Sequence, residues 1–229
     1  MIIDGFQKLT LLDFPENIAC LIFTKGCNLK CPFCHNGPLV LNKTKEGLIT
    51  EEEIFEYLKK RKNVLDGVVV SGGEPLLQKQ IKRFIGDIKK LGYKVKLDTN
   101  GTSPVLLEEL IDEGLIDYVA MDIKNVFDKY PKITGCKNVN TANIQKSIEV
   151  LKQNKIDYEF RTTIVKEFHD ISDIKKILSY VGDSKYFIQN FVDNENVIKS
   201  GLHGFTKEEL ININEELKKE FTNFKIREL

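Results

Sequence analysis

The sequence predicts an α/β protein built on an open, mostly parallel sheet, an incomplete (β/α)6 barrel. Strand-length apolar runs alternate with helix-length segments along most of the chain, the rhythm of right-handed βαβ crossovers. Six of these runs serve as principal strands, too few to close an eight-stranded barrel. No internal repeat, low-complexity tract or linker interrupts them, so residues 1–229 read as one domain. A flat doubly wound sheet is the second choice, and in either architecture the reactive surface lies at the C-terminal ends of the strands.

Residues 1–15 read as a hairpin-like N-terminal extension. The first principal strand is the apolar run 17–23, NIACLIF. A helix opens after Thr50, with Thr50 as N-cap and Glu53 at the third helical position, a capping box. The run 66–71, DGVVVS, is a buried strand followed by a helix near 77–91. The third strand, 93–98, leads to a helix near 104–113, where Pro104 suits a first turn. The rhythm continues through a strand at 117–123, a helix at 141–154, a strand at 158–164, a helix at 171–181 and a strand at 186–191. A last helix covers about 206–220, and 223–227 forms a final short strand.

Hydrophobic residues make up 41% and charged residues 30% of the 229 positions, the profile of an ordinary soluble protein. Acidic and basic residues balance at 34 each, so nothing points to nucleic acid or to an acidic surface as partner. The N-terminus lacks a basic region followed by an apolar run. No apolar stretch approaches the ~20 residues that span a bilayer. The expected location is the cytoplasm. Five cysteines is an odd count, and three of them fall within eight residues. In a compartment that keeps thiols reduced, such clustering points to metal and not to disulfides.

Those three sit in Gly26-Cys27-Asn28-Leu29-Lys30-Cys31-Pro32-Phe33-Cys34-His35-Asn36, directly after the first principal strand. With the spacing C-x3-C-x2-C, Cys27, Cys31 and Cys34 can each hold one iron of a cubane [4Fe–4S] cluster and leave the fourth iron without a protein ligand. A small molecule can chelate at that open iron. Gly26 lets the backbone turn sharply out of the strand. The competing reading is a zinc site completed by His35 or a distant cysteine, but structural zinc sites usually pair two distant knuckles, and the chain has no second pair. Cys20 lies inside a strand and reads as a buried small hydrophobe, and Cys136 is isolated.

The cysteine loop, with aromatic Phe33 before the third cysteine, resembles the signature of the radical S-adenosylmethionine (SAM) superfamily. The resemblance implies an incomplete barrel of radical SAM type, a [4Fe–4S] cluster whose open iron binds the amino and carboxylate groups of SAM, and one-electron cleavage of SAM to methionine and a 5′-deoxyadenosyl radical. It also implies that Phe33 lies beside the adenine.

Companion motifs end the following strands. In Ser71-Gly72-Gly73-Glu74-Pro75, paired glycines permit close approach of a ligand, and Glu74 can accept a hydrogen bond from an ammonium group. This segment resembles the GGEP motif that binds the SAM amino group. Asp98, in Leu97-Asp98-Thr99-Asn100-Gly101, and Asp122, in Met121-Asp122-Ile123-Lys124, converge at one rim if their strands are parallel neighbours. Otherwise they read as a turn residue and a cap. The two stretches resemble motifs of the glycyl-radical-enzyme activases, in which both aspartates help to hold a monovalent cation. In the fifth strand, period two puts Glu159, Arg161 and Thr163 on one face. A structural pair between Glu159 and Arg161 is one expectation, since buried charges need partners. By resemblance to the activases, Arg161 and Lys124 contact SAM. His169 and His203 read as surface or capping residues without chemistry.

The stretch from Gly5 to Pro15, GFQKLTLLDFP, running into the cysteine loop, resembles the activating proteins of anaerobic ribonucleoside-triphosphate reductase. That resemblance implies a glycyl radical enzyme as protein substrate and a flavodoxin or ferredoxin as electron donor. The chain departs from the pyruvate formate-lyase activases: Gln189-Asn190-Phe191-Val192 stands where they carry Pro-Tyr-His, and Leu12-Asp13-Phe14-Pro15 where they carry a Gly-Pro-Gly-rich segment. Only two cysteines lie outside the triad, which excludes an activase with a ferredoxin-like insert holding its own four-thiolate cluster. The rivals are an activase of another glycyl radical enzyme, a small-molecule radical SAM enzyme resembling 7-carboxy-7-deazaguanine synthase, and a non-enzyme, either an iron–sulfur electron carrier or a zinc-binding module.

Overall fold

A computed structural model describes residues 1–41 and 49–227. In chain order the strands are β1 (Ile3–Thr10), β2 (Ala19–Thr24), β3 (Gly67–Gly72), β4 (Lys94–Thr99), β5 (Tyr118–Asp122), β6 (Asp157–Ile164), β7 (Tyr186–Asn190) and β8 (Phe224–Ile226). The helices are α1 (Gly37–Val40), α2 (Glu51–Lys60), α3 (Ile81–Lys90), α4 (Pro104–Asp112), α5 (Tyr130–Ile133), α6 (Thr141–Leu151), α7 (Ile171–Val181) and α8 (Lys207–Lys218).

The eight strands form one sheet whose spatial order follows the chain order. β1 runs antiparallel to β2, and every later pair is parallel. The six expected principal strands are β2 to β7, the final short strand is β8, and the hairpin-like start pairs β1 onto β2. Among the described residues β1 and β8 stay at opposite edges, so the barrel is incomplete, as the resemblance to the radical SAM superfamily implies.

Helix boundaries follow local chemistry. Thr50 and Glu53 form the expected capping box at α2, and Asp170 with Asp173 and Thr206 with Glu209 repeat it at α7 and α8. In α3 the buried residues Ile81, Phe84, Ile85 and Ile88 recur at helical spacing and lay one apolar face against the sheet. The helix expected from residue 77 starts later, because Pro75–Leu77 is spent on a tight 3-10 turn. Two short helices, α1 and α5, were not expected; at four residues each they are below the length at which periodicity can be read.

Alternation along the strands sorts two cores. Cys20, Ile22, Val68, Val70, Val95, Leu97, Val119, Met121, Tyr158 and Phe160 point outward, where helices cover them. Residues of opposite parity point inward. At the floor of the barrel Phe14 packs with Ala19, Leu21, Val69 and Tyr118. Phe14 comes from the loop after β1 and plugs the N-terminal ends of the strands. Its place requires Gly67, because a Cβ there would lie 2.7 Å from Phe14 Cε1. Further up, the inward positions change from apolar to polar and charged, ending in Asp98, Asp122, Arg161 and Thr163 at the C-terminal rim.

Candidate functional site

One cavity at that rim brings together nearly every residue singled out in the sequence. It is lined by Cys27, Cys31, Phe33 and Cys34 from the loop after β2, by Gly72 and Gly73 after β3, and by Asp98, Asp122, Lys124 and Arg161 at the ends of β4, β5 and β6. Glu74 is the exception.

The cysteine loop is held by its backbone. Gly26 adopts φ +88°, which an L side chain resists. Gly72 and Gly73 serve this loop directly: a Cβ on Gly72 would meet Thr24 N at 2.3 Å, and one on Gly73 would meet Gly26 O at 2.0 Å. The paired glycines therefore admit the neighbouring backbone as well as lining the cavity. Gly73 N donates to Thr24 O and Glu74 N to Gly26 O, at 2.9 and 2.8 Å. Lys30 N donates to Thr134 O at 2.8 Å and Lys199 N to Pro32 O at 2.9 Å, clamping the loop from outside. Beneath it, Leu29, Cys31 and Phe33 pack with Ile133, Val165, Phe191 and Leu202, and Cys136 lies half-buried against this cluster.

Burial pushes the Cys27 thiol up to about 11 and Cys31 to about 12, and raises Cys34 as well. The Lys124 ammonium acts against that rise at all three, a positive charge placed to favour thiolates. Leu29 N and Asn100 Nδ2 point at Cys27 Sγ from 3.4 and 3.7 Å. Among the described residues no three His, Cys, Asp or Glu side chains crowd around one ion-sized point. The three cysteines share one cavity, and three thiolates are the donor set that holds three irons of a cubane cluster and leaves the fourth open.

The charged rim is ordered. Arg161 Nε donates to Asp122 Oδ1 at 2.9 Å, and its Nη2 lies 3.6 Å from Asp98 Oδ2. Lys124 Nζ donates to Asp122 Oδ2 at 3.1 Å, and Lys96 Nζ stands 3.1 Å from Asp98 Oδ1. Lys96, Asp98, Arg161, Asp122 and Lys124 thus form a row of alternating sign. Burial alone would raise both carboxylates, but Arg161 and Lys96 hold Asp98 below its ordinary range, and Arg161 with Lys124 brings Asp122 down to about 2. Lys124 and Arg161 are in turn held above theirs, against their burial, by Asp122. The point between the two carboxylates, where a monovalent cation was expected, faces the Arg161 guanidinium.

The structural pair expected between Glu159 and Arg161 does not form. Glu159 sits one inward position lower on β6, accepting from Tyr118 Oη at 3.0 Å and from Arg227 Nη2 at 2.9 Å. Arg227 arrives from just beyond β8, a partner that strand parity in β6 could not reveal.

Glu74 is wholly buried and turned away from the cavity. Its carboxylate accepts from Leu76 N at 3.1 Å, Thr99 Oγ1 at 2.8 Å and Asn100 N at 2.7 Å, tying the end of β3 to the end of β4. Burial nevertheless lifts it to about 7.

Two residues escaped the sequence reading. His169 is not at the surface: it is 4% exposed, its Nδ1 accepts from Val165 N at 3.1 Å, and its Nε2 therefore carries the proton and donates to Lys124 O at 2.8 Å. Its ring meets Phe33 edge-on at 6.2 Å. No spacing in the chain signals this. Lys96 left a fainter trace, a lysine between Val95 and Leu97 at an inward position of a buried strand. His203 is exposed beside Glu167, as expected.

With this geometry in place, comparisons identify the chain's relatives. The profile of the Radical SAM superfamily matches residues 21–181. A protein of Methanocaldococcus jannaschii named as a glycyl-radical enzyme activating enzyme is 41% identical over 198 residues, covering 83% of this chain and 80% of its own. The pyruvate formate-lyase-activating enzyme of Clostridium pasteurianum is 35% identical over 156 residues, covering 64% of this chain and 63% of that protein. Among solved structures, Streptococcus suis SuiB bound to S-adenosylmethionine shares the fold, with a TM-score of 0.70 at 18% identity over 88% of this chain and 48% of its own.

Proposed function

Because this chain belongs to the radical SAM superfamily, among its glycyl-radical-enzyme activases, we propose that it installs a glycyl radical on anaerobic ribonucleoside-triphosphate reductase. The observation that carries the chemistry is the single cavity that unites Cys27, Cys31 and Cys34 with the Asp98–Arg161–Asp122–Lys124 row. When bound there, a [4Fe–4S] cluster and SAM supply the one-electron cleavage of SAM that ends in removal of hydrogen from a glycine Cα of the partner.

The chain's own residues bind, orient and shield. The three thiolates hold the cluster, and Lys124 favours their ionised form. Arg161 and Lys124 present cations to the SAM carboxylate, while Asp98 and Asp122 face its positive charge. A monovalent cation at the two aspartates would share them with Arg161. Gly72 and Gly73 line the wall next to the SAM amino group, and Glu74 supports that wall from behind through Asn100. Phe33, Leu29 and Val40 give the cavity its apolar side, against which the SAM adenine would lie beside Phe33.

The reductase is favoured by the stretch from Gly5 to Pro15 and by the absence of histidine in Gln189-Asn190-Phe191-Val192. The open side between β1 and β8 leaves room for a glycine-bearing loop of another protein. The electron donor is a flavodoxin or a ferredoxin.

The test is anaerobic. The reconstituted protein is mixed with SAM and dithionite, and 5′-deoxyadenosine is quantified with and without candidate glycyl radical enzymes. Product from the wild type, none from Cys31→Ala and a glycyl EPR signal only with the reductase support the proposal. A signal only with another glycyl radical enzyme reassigns the partner, and no deoxyadenosine from fully loaded protein overturns the reading.

A further inference from the structure

We propose that Lys96 is a positioning residue of the SAM cavity, its ammonium anchored on the barrel floor and holding Asp98, and through Asp98 the Arg161 guanidinium, in place. The proposal rests on the reading that this cavity binds SAM.

Lys96 stands midway up β4 facing inward, and only 2% of it is exposed. A desolvated ammonium needs strong compensation, and three groups provide it. Its Nζ donates to the carbonyl oxygen of Asp13, stands 3.1 Å from Asp98 Oδ1 and lies 5.9 Å from the centroid of the Tyr118 ring. The first of these groups is itself fixed. Thr10 Oγ1 bonds the Asp13 carboxylate and accepts from Leu12 N and Asp13 N at 3.3 and 3.2 Å. Next to Asp13, Phe14 is locked into the floor beside Gly67. The loop Leu12-Asp13-Phe14-Pro15 therefore covers the barrel floor and presents one carbonyl upward to a buried lysine.

The rim explains why a cation is needed there. Arg161 serves two carboxylates but sits closer to Asp122, at 2.9 Å, than to Asp98, at 3.6 Å. Asp122 has Lys124 as a second cation, and Lys96 gives Asp98 its own. Apart from Lys96, Asp98 receives, among the described residues, only Ser71 Oγ at 3.0 Å and the distant edge of Arg161. Without Lys96, the balance shifts Arg161 toward Asp98 and away from the orientation in which it meets a ligand carboxylate. Lys96 touches no ligand-facing space itself, since the cavity lining begins at Asp98 on this strand.

Two measurements test this. In the cluster-free protein, thermal melting compares Lys96→Met, Asp98→Asn and the double variant. The double variant is expected to melt above Lys96→Met alone, because removing the orphaned carboxylate relieves the loss. In the reconstituted protein, the SAM dissociation constant by equilibrium dialysis is expected to weaken at least tenfold in Lys96→Met. It stays within twofold in Ile177→Val, a variant of the helix-covered outer core that loses stability without touching the charges or their anchor. Lys96→Gln, which keeps a donor for Asp13, replaces Lys96→Met if that variant does not fold. Additive melting shifts, or an unchanged dissociation constant in the Lys96 variants, overturn the proposal. If wild type itself fails to bind SAM, the cavity assignment falls, while the melting comparison still decides the coupling of Lys96 to Asp98.

Discussion

Asp122 and Arg161 are register partners on adjacent parallel strands, and the guanidinium Nε closes to 2.9 Å on Asp122 Oδ1. The pair sits between the cysteine loop and the barrel interior, and it links β5 to β6 at the level where the ligand cavity begins. Replacing Arg161 by Met leaves two carboxylates facing each other with one cation fewer. Removing one partner of a buried pair costs about 3–5 kcal/mol, and the low end applies because Asp122 keeps contact with solvent in the cavity. Chemical unfolding of the cluster-free protein should show that loss, and Asp122→Asn in the same background should recover part of it.

Glu74 makes stability depend on pH. Its carboxyl keeps a proton up to about pH 7 in the folded chain, against 4.5 for an ordinary glutamate. Between those values the native state binds the extra proton, so its contribution to stability is full below 4.5 and declines as pH rises to about 7. At roughly 1.4 kcal/mol per unit the decline is at most about 3–4 kcal/mol. Melting curves of cluster-free wild type and Glu74→Gln at pH 5 and pH 8 measure it. The wild type should lose more stability over that interval than the variant, and equal losses would refute the assignment.

The floor of the barrel has its own prediction. Gly67→Ala forces a methyl group against Phe14, and overpacking of this kind costs about 1–3 kcal/mol. Phe14→Ala costs about 3–5 kcal/mol by opening a cavity. In the double variant the methyl meets no ring, so the Gly67→Ala penalty should shrink to what the Lys94 carbonyl oxygen at 3.1 Å imposes. Urea unfolding of the four proteins closes that cycle.

Cysteine replacement separates the triad from the other two thiols. Cys27→Ala, Cys31→Ala and Cys34→Ala should each cut bound iron and sulfide after reconstitution by roughly tenfold or more. Cys20→Ala and Cys136→Ala should retain them, since Cys20 lies in the outward-facing core and Cys136 only packs beside the loop. Iron and sulfide assays with absorption spectra decide it.

Much of the site was legible because it is written in local pattern. The C-x3-C-x2-C spacing, the paired glycines and the aspartates closing two strands each announce themselves within a few residues. Parallel connectivity then places all strand ends at one rim. Legibility stopped where a partner comes from a distant element. Glu159 faces Arg227, not Arg161, and Glu74 turns to Thr99 and Asn100, not to the cavity.

The sequence by itself determined the order of the strands and of the longer helices, the polar face of β6 and the location of the cysteine loop, because alternation, capping and spacing act over a few residues. Only the tertiary structure decided which charges meet. Strand stagger sets Arg161 beside Asp122, the loop at Phe14 brings a carbonyl under Lys96, and the turn before α7 buries His169 under Phe33. Such pairings depend on distances between elements far apart in the chain, and desolvation in the barrel makes their strength depend on that geometry.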